Sequence, residues 1–306
     1  MRSGIGNVTR RYAEYSKSEY VEFGQKPMEA KYDIAFAFLI PVRPQVLYFR
    51  DYIVPICRKV IVMAVCETET VHKDYGIFLQ YQPVYCPSEY SANIFKRQFG
   101  GDWRVLRHFS PIPKIMPPLA RKEYIFYTIG NVLDYRKNIK MLLEAFLRLN
   151  LPDAYLVLKA TLCPDQTVPW KLPKVIVNHN LLTDEELDEF HRQCDCYINC
   201  SFSEGVGMGA VEAAIRNKPV IITDYGGLHE YVNTPYVVST KPCKVGREDF
   251  LFQPEMTWGQ PSLEELMKYM YECYTLRLRE FDHEHTRLIN DEVASTLSSL
   301  GIASRT

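Results

Sequence analysis

Three glycines at alternate positions, Gly205, Gly207 and Gly209, stand between Glu204 and Glu212 and run into an apolar stretch. Glycine frees the chain from the usual φ restriction and lets a ligand approach the backbone closely. A helix opening there presents unpaired N–H groups, and the positive end of its dipole, to a phosphate or diphosphate. Two carboxylates beside an anion site are a cost unless hydroxyl groups face them, which suits a ribose and a sugar ring. A second segment, Gly130-Asn131-Val132-Leu133-Asp134-Tyr135-Arg136-Lys137-Asn138, puts two bases just before a predicted helix, where structure alone favours acids. Paired cations there suit the clamping of an anion. A third segment, 223–230, adds Gly226, Gly227 and Glu230.

The elements around these segments alternate. Strands are predicted over 124–129, 154–158, 175–177, 196–200 and 219–223. Ile139, Leu142, Leu143, Phe146 and Leu149 fall at helical spacing, and 208–216 reads as another helix. Thr183 followed by Glu186 is a capping box opening a helix through Leu187 and Phe190. Such alternation predicts an α/β fold with a doubly wound parallel sheet, whose ligands sit at the carboxyl ends of the strands. Upstream, strands are expected over 34–40, 60–65 and 83–86, with helices over 9–16 and 90–98. Between the halves, Pro111, Pro113, Pro117 and Pro118 exclude helix and central strand and favour a stiff linker. The expected domains are 1–116 and 117–285, with 286–306 as a closing helical segment.

The 306 residues are 47% hydrophobic and 24% charged, which excludes a disordered, collagen-like or disulfide-framework chain. The longest apolar stretch, 34–42, is far short of the roughly 20 residues a bilayer span needs. No charged-then-apolar leader opens the chain, so the expected location is cytoplasmic. Residues 1–116 carry 16 bases against 11 acids, too weak an excess to indicate nucleic acid. Nine scattered cysteines read as reduced thiols. His191, Cys194, Cys196 and Cys200 invite a zinc reading, but they lack the second spaced pair of a zinc knuckle, so no metal is expected.

The stretch from Gly130 to Glu230 resembles the donor-binding domain of a retaining glycosyltransferase of the GT-B fold, in glycosyltransferase family four, the group 1 type. The matching text is Arg136-Lys137-Asn138, then Ser201 to Ala213 with its Glu204/Glu212 spacing, then Asn217-Lys218-Pro219-Val220-Ile221, then Gly226 to Glu230. A fainter match runs through Trp258 and Pro261-Ser262-Leu263-Glu264. The resemblance implies two Rossmann-like domains facing a cleft, the first one trimmed, with the last helix returning to it.

Site roles follow from the same resemblance. Glu204 would sit beside the transferred sugar, and Glu212 would bind the ribose hydroxyls. Backbone N–H groups of Gly205, Val206, Gly207 and Met208 would hold sugar hydroxyls and the diphosphate. Lys137 would be the phosphate lysine, and Gly130 a further donor-binding residue. Asn131 stands where the family places an arginine, and Arg136 is the neighbouring candidate for that second charge. Backbone contacts and a loop around Asn180 and Leu181 would read the donor's base and sugar and the acceptor, with Leu181 as a donor-binding residue. In the first half, Gly4 and Gly6 resemble the family's glycine loop facing the donor phosphates. His72, with His108 as the other candidate, would be the first-domain histidine near the sugar; Glu67 and Glu69 are substitutes.

The reaction implied is transfer from a nucleotide-diphosphate sugar to an acceptor hydroxyl with retained configuration. It would use no metal or other cofactor, in keeping with the lack of an Asp-x-Asp pair. The acceptor is a glycan, a lipid or a protein. A group of aromatics and bases, Arg10, Arg11, Tyr12, Tyr15, Tyr20, Tyr48, Phe49 and Arg50, is a candidate contact for membrane or glycan. The alternative reading is a non-catalytic GT-B scaffold or accessory subunit that binds nucleotide sugar or a partner.

Overall fold

The computed structural model describes residues 4–29, 31–162, 166–249 and 251–302. The described residues within 3–109, 243–258 and 290–306 form one compact unit, and those within 110–242 and 259–289 form another. No regular element lies between Val105 and Tyr124, as the four prolines of that stretch require.

In the first unit, α1 (Gly4–Ser16) precedes β1 (Tyr32–Phe38), α2 (Arg43–Tyr48), β2 (Cys57–Met63), β3 (Val84–Cys86), α3 (Glu89–Phe99) and β4 (Trp103–Val105). The strands form one parallel sheet in the order β1-β2-β3-β4. Its core gathers Val62, Phe78, Val84, Cys86 and Phe95. Ser88 caps α3 by accepting from the Ser91 N–H, the usual device for a helix start.

Two expectations change here. Gly4 and Gly6 lie in the first turn of α1, so the glycine loop expected there is instead helix. The aromatic and basic group is only partly at the surface, with Arg10 4.9 Å from the Tyr20 ring centroid. Tyr12 and Phe49 are core residues, Arg10 pairs with Glu22 and Arg50 pairs with Asp51. Apolar burial outweighed the surface placement that neighbouring arginines suggested.

The second unit runs β5 (Tyr124–Gly130), α4 (Ile139–Leu149), β6 (Ala154–Ala160), β7 (Val175–Asn178), α5 (Asp184–Arg192), β8 (Cys196–Ile198), α6 (Met208–Ile215), β9 (Val220–Thr223) and β10 (Val237–Val238). The predicted strands and helices are present within a few residues, and the Thr183–Glu186 capping box is formed in both directions. All six strands are parallel, in the order β10-β9-β8-β5-β6-β7. Counted from β5 this is 3-2-1-4-5-6, the dinucleotide-binding order, whose direction reverses between β5 and β8. A two-stranded sheet of β11 (Thr240–Lys244) and β12 (Thr257–Pro261) follows, then α7 (Leu263–Thr275) and α8 (Glu284–Ser299).

Period-two alternation sorts the side chains of the large sheet. Phe126, Leu156, Leu158, Cys196 and Ile198 share one core with Leu142, Phe146, Leu266 and Met270 of α4 and α7. Tyr127, Ile129, Val157, Lys159 and Tyr197 therefore face the other side, where Tyr127 meets His191 of α5 and Tyr197 meets Gly209 of α6.

Candidate functional site

The strand order places a ligand crevice at the carboxyl ends of β5 and β8. A concavity lies there, lined by Gly130, Asn131, Lys137, Tyr197, Asn199 and Ser201 among others. Gly130 has φ 149°, and Lys137 Cε passes 3.7 Å from where a Cβ would stand. The lysine side chain thus lies across the strand end at a residue with no side chain to obstruct it. Asn131 is exposed and accepts from the Leu133 N–H, closing a turn.

Glu204 is the centre of the site. It is 3% exposed. Lys137 Nζ donates to its Oε1 at 2.5 Å and Arg136 Nη1 donates to its Oε2 at 2.9 Å. The Ser201 hydroxyl and the Asn199 amide also donate to Oε1, at 2.8 and 3.2 Å. Burial alone would raise the carboxyl pKa, but Lys137 and then Arg136 outweigh it and hold Glu204 well below the usual carboxylate range. Arg136 has further commitments: Nη1 donates to the Ser203 carbonyl at 2.8 Å, and Asp134 lies at 3.5 Å. Tyr135 stacks on Phe202 with centroids 5.2 Å apart, so the two loops are held together from both sides.

The Gly205–Gly207 loop then turns into α6. Gly207, at φ 74°, caps the helix in the left-handed region, and a Cβ there would lie 2.9 Å from Leu228 Cδ1. Val206 is buried and Met208 is the first helical residue. Gly209 packs against the Tyr197 hydroxyl and lies close to the Ile129 carbonyl, so the N-terminus of α6 sits directly over the end of β5. Burial, then the Glu204 and Glu212 carboxylates, push the Tyr197 phenol up; both acids therefore act on one point from opposite ends of the loop. Glu212 is half-buried in the second turn of α6.

Glu204, Arg136, Lys137, Gly130, Asn131, Glu212 and the loop 205–208 thus converge in one unit. Leu181 follows β7 on the same sheet and is 84% exposed. His72 belongs to the other unit, where its Nδ1 accepts from the Asp74 N–H and caps the 3-10 helix over Lys73–Tyr81. His108 is buried there against Tyr12 and Phe38. His191 bonds Tyr127 at 2.7 Å. Sequence reasoning missed Asn199 as a partner of Glu204, the Tyr197–Gly209 packing and the buried Lys159. Only Lys159 left a signal, a lone base near the end of an apolar strand.

Residues 113–240 match the family described as Glycosyl transferases group 1. No curated protein matches the chain. Among solved structures it is similar to sucrose-phosphate synthase from Thermosynechococcus elongatus, with a TM-score of 0.58 and 15% identity over 79% of this chain and 67% of that one. It is also similar to Anabaena HepE in complex with UDP and glucose (TM-score 0.56, 14% identity, 98% of this chain and 84% of that one). A third is the UDP-forming α,α-trehalose-phosphate synthase of Burkholderia xenovorans (0.59, 11%, 97% and 78%). The chain spans about half of TarM, another structure it resembles (53% of that chain). At these identities the likeness is one of fold. The chain has the GT-B fold, with parallel sheets in two α/β Rossmann-like units.

Proposed function

We propose that this protein transfers a glycosyl unit from a nucleotide-diphosphate sugar to an acceptor hydroxyl, with retained configuration and without a metal. The observation that carries the reading is the coincidence of three things at one strand crossing. The group 1 match covers it, the α6 N-terminus sits over β5, and Lys137 and Glu204 meet beside it.

In this reading the N–H groups at the start of α6, with Lys137, take the leaving diphosphate. Fixed dipoles and cations stabilise charge as it develops without reorganising. Glu212 accepts from the ribose hydroxyls, and Glu204 with the 205–208 backbone holds the sugar. Leu181 belongs to the donor-binding set. His72 is the proposed first-domain contact to the sugar. The acceptor is a glycan, a lipid or a protein, and the protein acts in the cytoplasm. No helix among the described residues is long and apolar enough to cross a membrane.

The test is a thermal-shift panel of UDP, GDP, ADP, CDP and dTDP, with Glu212→Ala as control. A ligand at about 100 times its Kd adds roughly 2.7 kcal/mol, a shift of several degrees. One diphosphate that stabilises the wild type but not the variant supports the reading and fixes the donor class. No shift with any of the five overturns it. Tight binding with no transfer or donor hydrolysis points instead to a non-catalytic scaffold.

A further inference from the structure

Lys159 is the penultimate residue of β6 and is 6% exposed. Its Nζ has one long hydrogen bond, 3.4 Å to the Ala160 carbonyl. Among the described residues no carboxylate pairs with it, and burial pulls its pKa down. A buried ammonium with so little compensation costs stability, and such a group persists where it serves something else. Its position says what. Lys159 is in register with Ile129 of the adjacent β5, so the two side chains share a face and their strands lie about 4.8 Å apart. That face carries α6, whose Gly209 approaches the Ile129 carbonyl. The ammonium is therefore one strand away from the helix N-terminus, on a flexible four-carbon stem. The other base at this strand end, Lys137, already faces the Glu204 carboxylate, and Asn131 brings no charge.

We propose that Lys159 is a donor-binding residue whose ammonium contacts a diphosphate oxygen of the nucleotide sugar. The assignment rests on the nucleotide-sugar reading and adds to it a cation that the loop motifs do not contain. It supplies positive charge from β6, on the side of β5 away from β8, and so fixes the diphosphate between two strands and the helix end.

The experiment measures Kd on the full chain for the five nucleoside diphosphates of the panel, for the nucleoside matching whichever binds, and for inorganic pyrophosphate. Wild type, Lys159→Met and Lys159→Arg are compared. Lys159→Met is expected to melt above wild type, because an uncompensated charge leaves the interior. It should lose about tenfold or more in diphosphate and pyrophosphate affinity, the usual scale of one charge-assisted hydrogen bond. Nucleoside affinity should stay within about twofold, and Lys159→Arg should recover most of the diphosphate affinity. Unchanged diphosphate affinity in Lys159→Met overturns the assignment, as does an equal loss for nucleoside and diphosphate, which would mark a packing role. A wild type that binds none of the five sinks the nucleotide-sugar reading itself and the assignment with it.

Discussion

Lys137 Nζ lies 2.5 Å from Glu204 Oε1, so the lysine that suggests an anion site already faces an anion of its own chain. With Arg136 on the other oxygen, the carboxylate is a shared counter-ion for both bases. Removing its charge leaves two cations facing each other, so Glu204→Gln is expected to cost about 3–5 kcal/mol, the usual penalty for breaking a buried pair. The pKa of Glu204 is held below its ordinary 4.5. Its stabilisation is therefore complete above about pH 4.5 and is lost as pH falls further. Urea unfolding of wild type and Glu204→Gln at pH 7 to 3 checks both points: the gap between the two should narrow below pH 4.5.

In the proposed donor site a diphosphate would draw Lys137 away from Glu204, while Asn199 and Ser201 stay bonded to that carboxylate. Lys137→Met should therefore weaken nucleoside diphosphate binding by about ten- to a hundredfold, the scale of a charge-assisted hydrogen bond. Asn199→Ala should leave diphosphate binding within about threefold and reduce transfer, because it loosens Glu204 and not the phosphate site. Titration calorimetry beside a transfer assay separates the two; equal losses in both variants would refute the division.

Tyr197 and Gly209 bring the α6 N-terminus onto β5. A Cβ on Gly209 would also lie 3.2 Å from Tyr197 Cζ, with the hydroxyl closer still. Gly209→Ala should cost about 1–3 kcal/mol by overpacking. Tyr197→Phe removes the nearest atom, so the double variant should recover part of that loss, with a coupling of about 0.5–3 kcal/mol. Strict additivity in denaturant melts would show that α6 is positioned by other contacts.

Much of the second unit was legible because its signals are local. The spacing of Ile139, Leu142, Leu143, Phe146 and Leu149 gave α4, and Thr183 with Glu186 gave the start of α5. The glycines around Glu204 marked the right loop. What they could not show was pairing across 67 residues of sequence: Arg136 and Lys137 read as bases awaiting a ligand, and their partner was Glu204. Tyr12 and Phe49 read as surface beside arginines, because burial in α1 and after α2 is a tertiary fact. The 3-10 helix over Lys73–Tyr81 has neither helical nor strand periodicity, and β4 is three residues long. The placement of 243–258 with the first unit has no local signature at all.

His108 sets a second pH window. Burial, then Arg11, pushes its pKa down to about 3 from the ordinary 6.5. The unfolded chain therefore binds the proton first as pH falls, and stability drops from about pH 6.5 toward 3, by at most about 1.4 kcal/mol per pH unit. Burial pushes His191 and His283 in the same direction. His108→Phe should flatten the stability profile between pH 6.5 and 5, above the range in which Glu204 contributes; an unchanged slope there would mean that His108 titrates normally.

Gly226 fixes the backbone of Glu204 from the loop after β9. The two residues form a parallel bridge, and the Gly227 N–H donates to the Glu204 carbonyl at 2.8 Å. At φ 95°, a side chain on Gly226 would be strained and would drive its Cβ into that carbonyl. Gly226→Ala therefore costs about 1–3 kcal/mol for the dihedral and must also displace Glu204. The α6 N-terminus is held on β5 by the Gly209–Tyr197 contact, and in the proposed donor site Lys137 leaves Glu204 for the diphosphate in any case, so nucleoside diphosphate affinity should change little while transfer falls by tenfold or more. Misplacement of a reacting group by about 1 Å has effects of that size. A variant that folds, binds the diphosphate as wild type does and transfers at the wild-type rate would show that the position of Glu204 is not what limits the reaction.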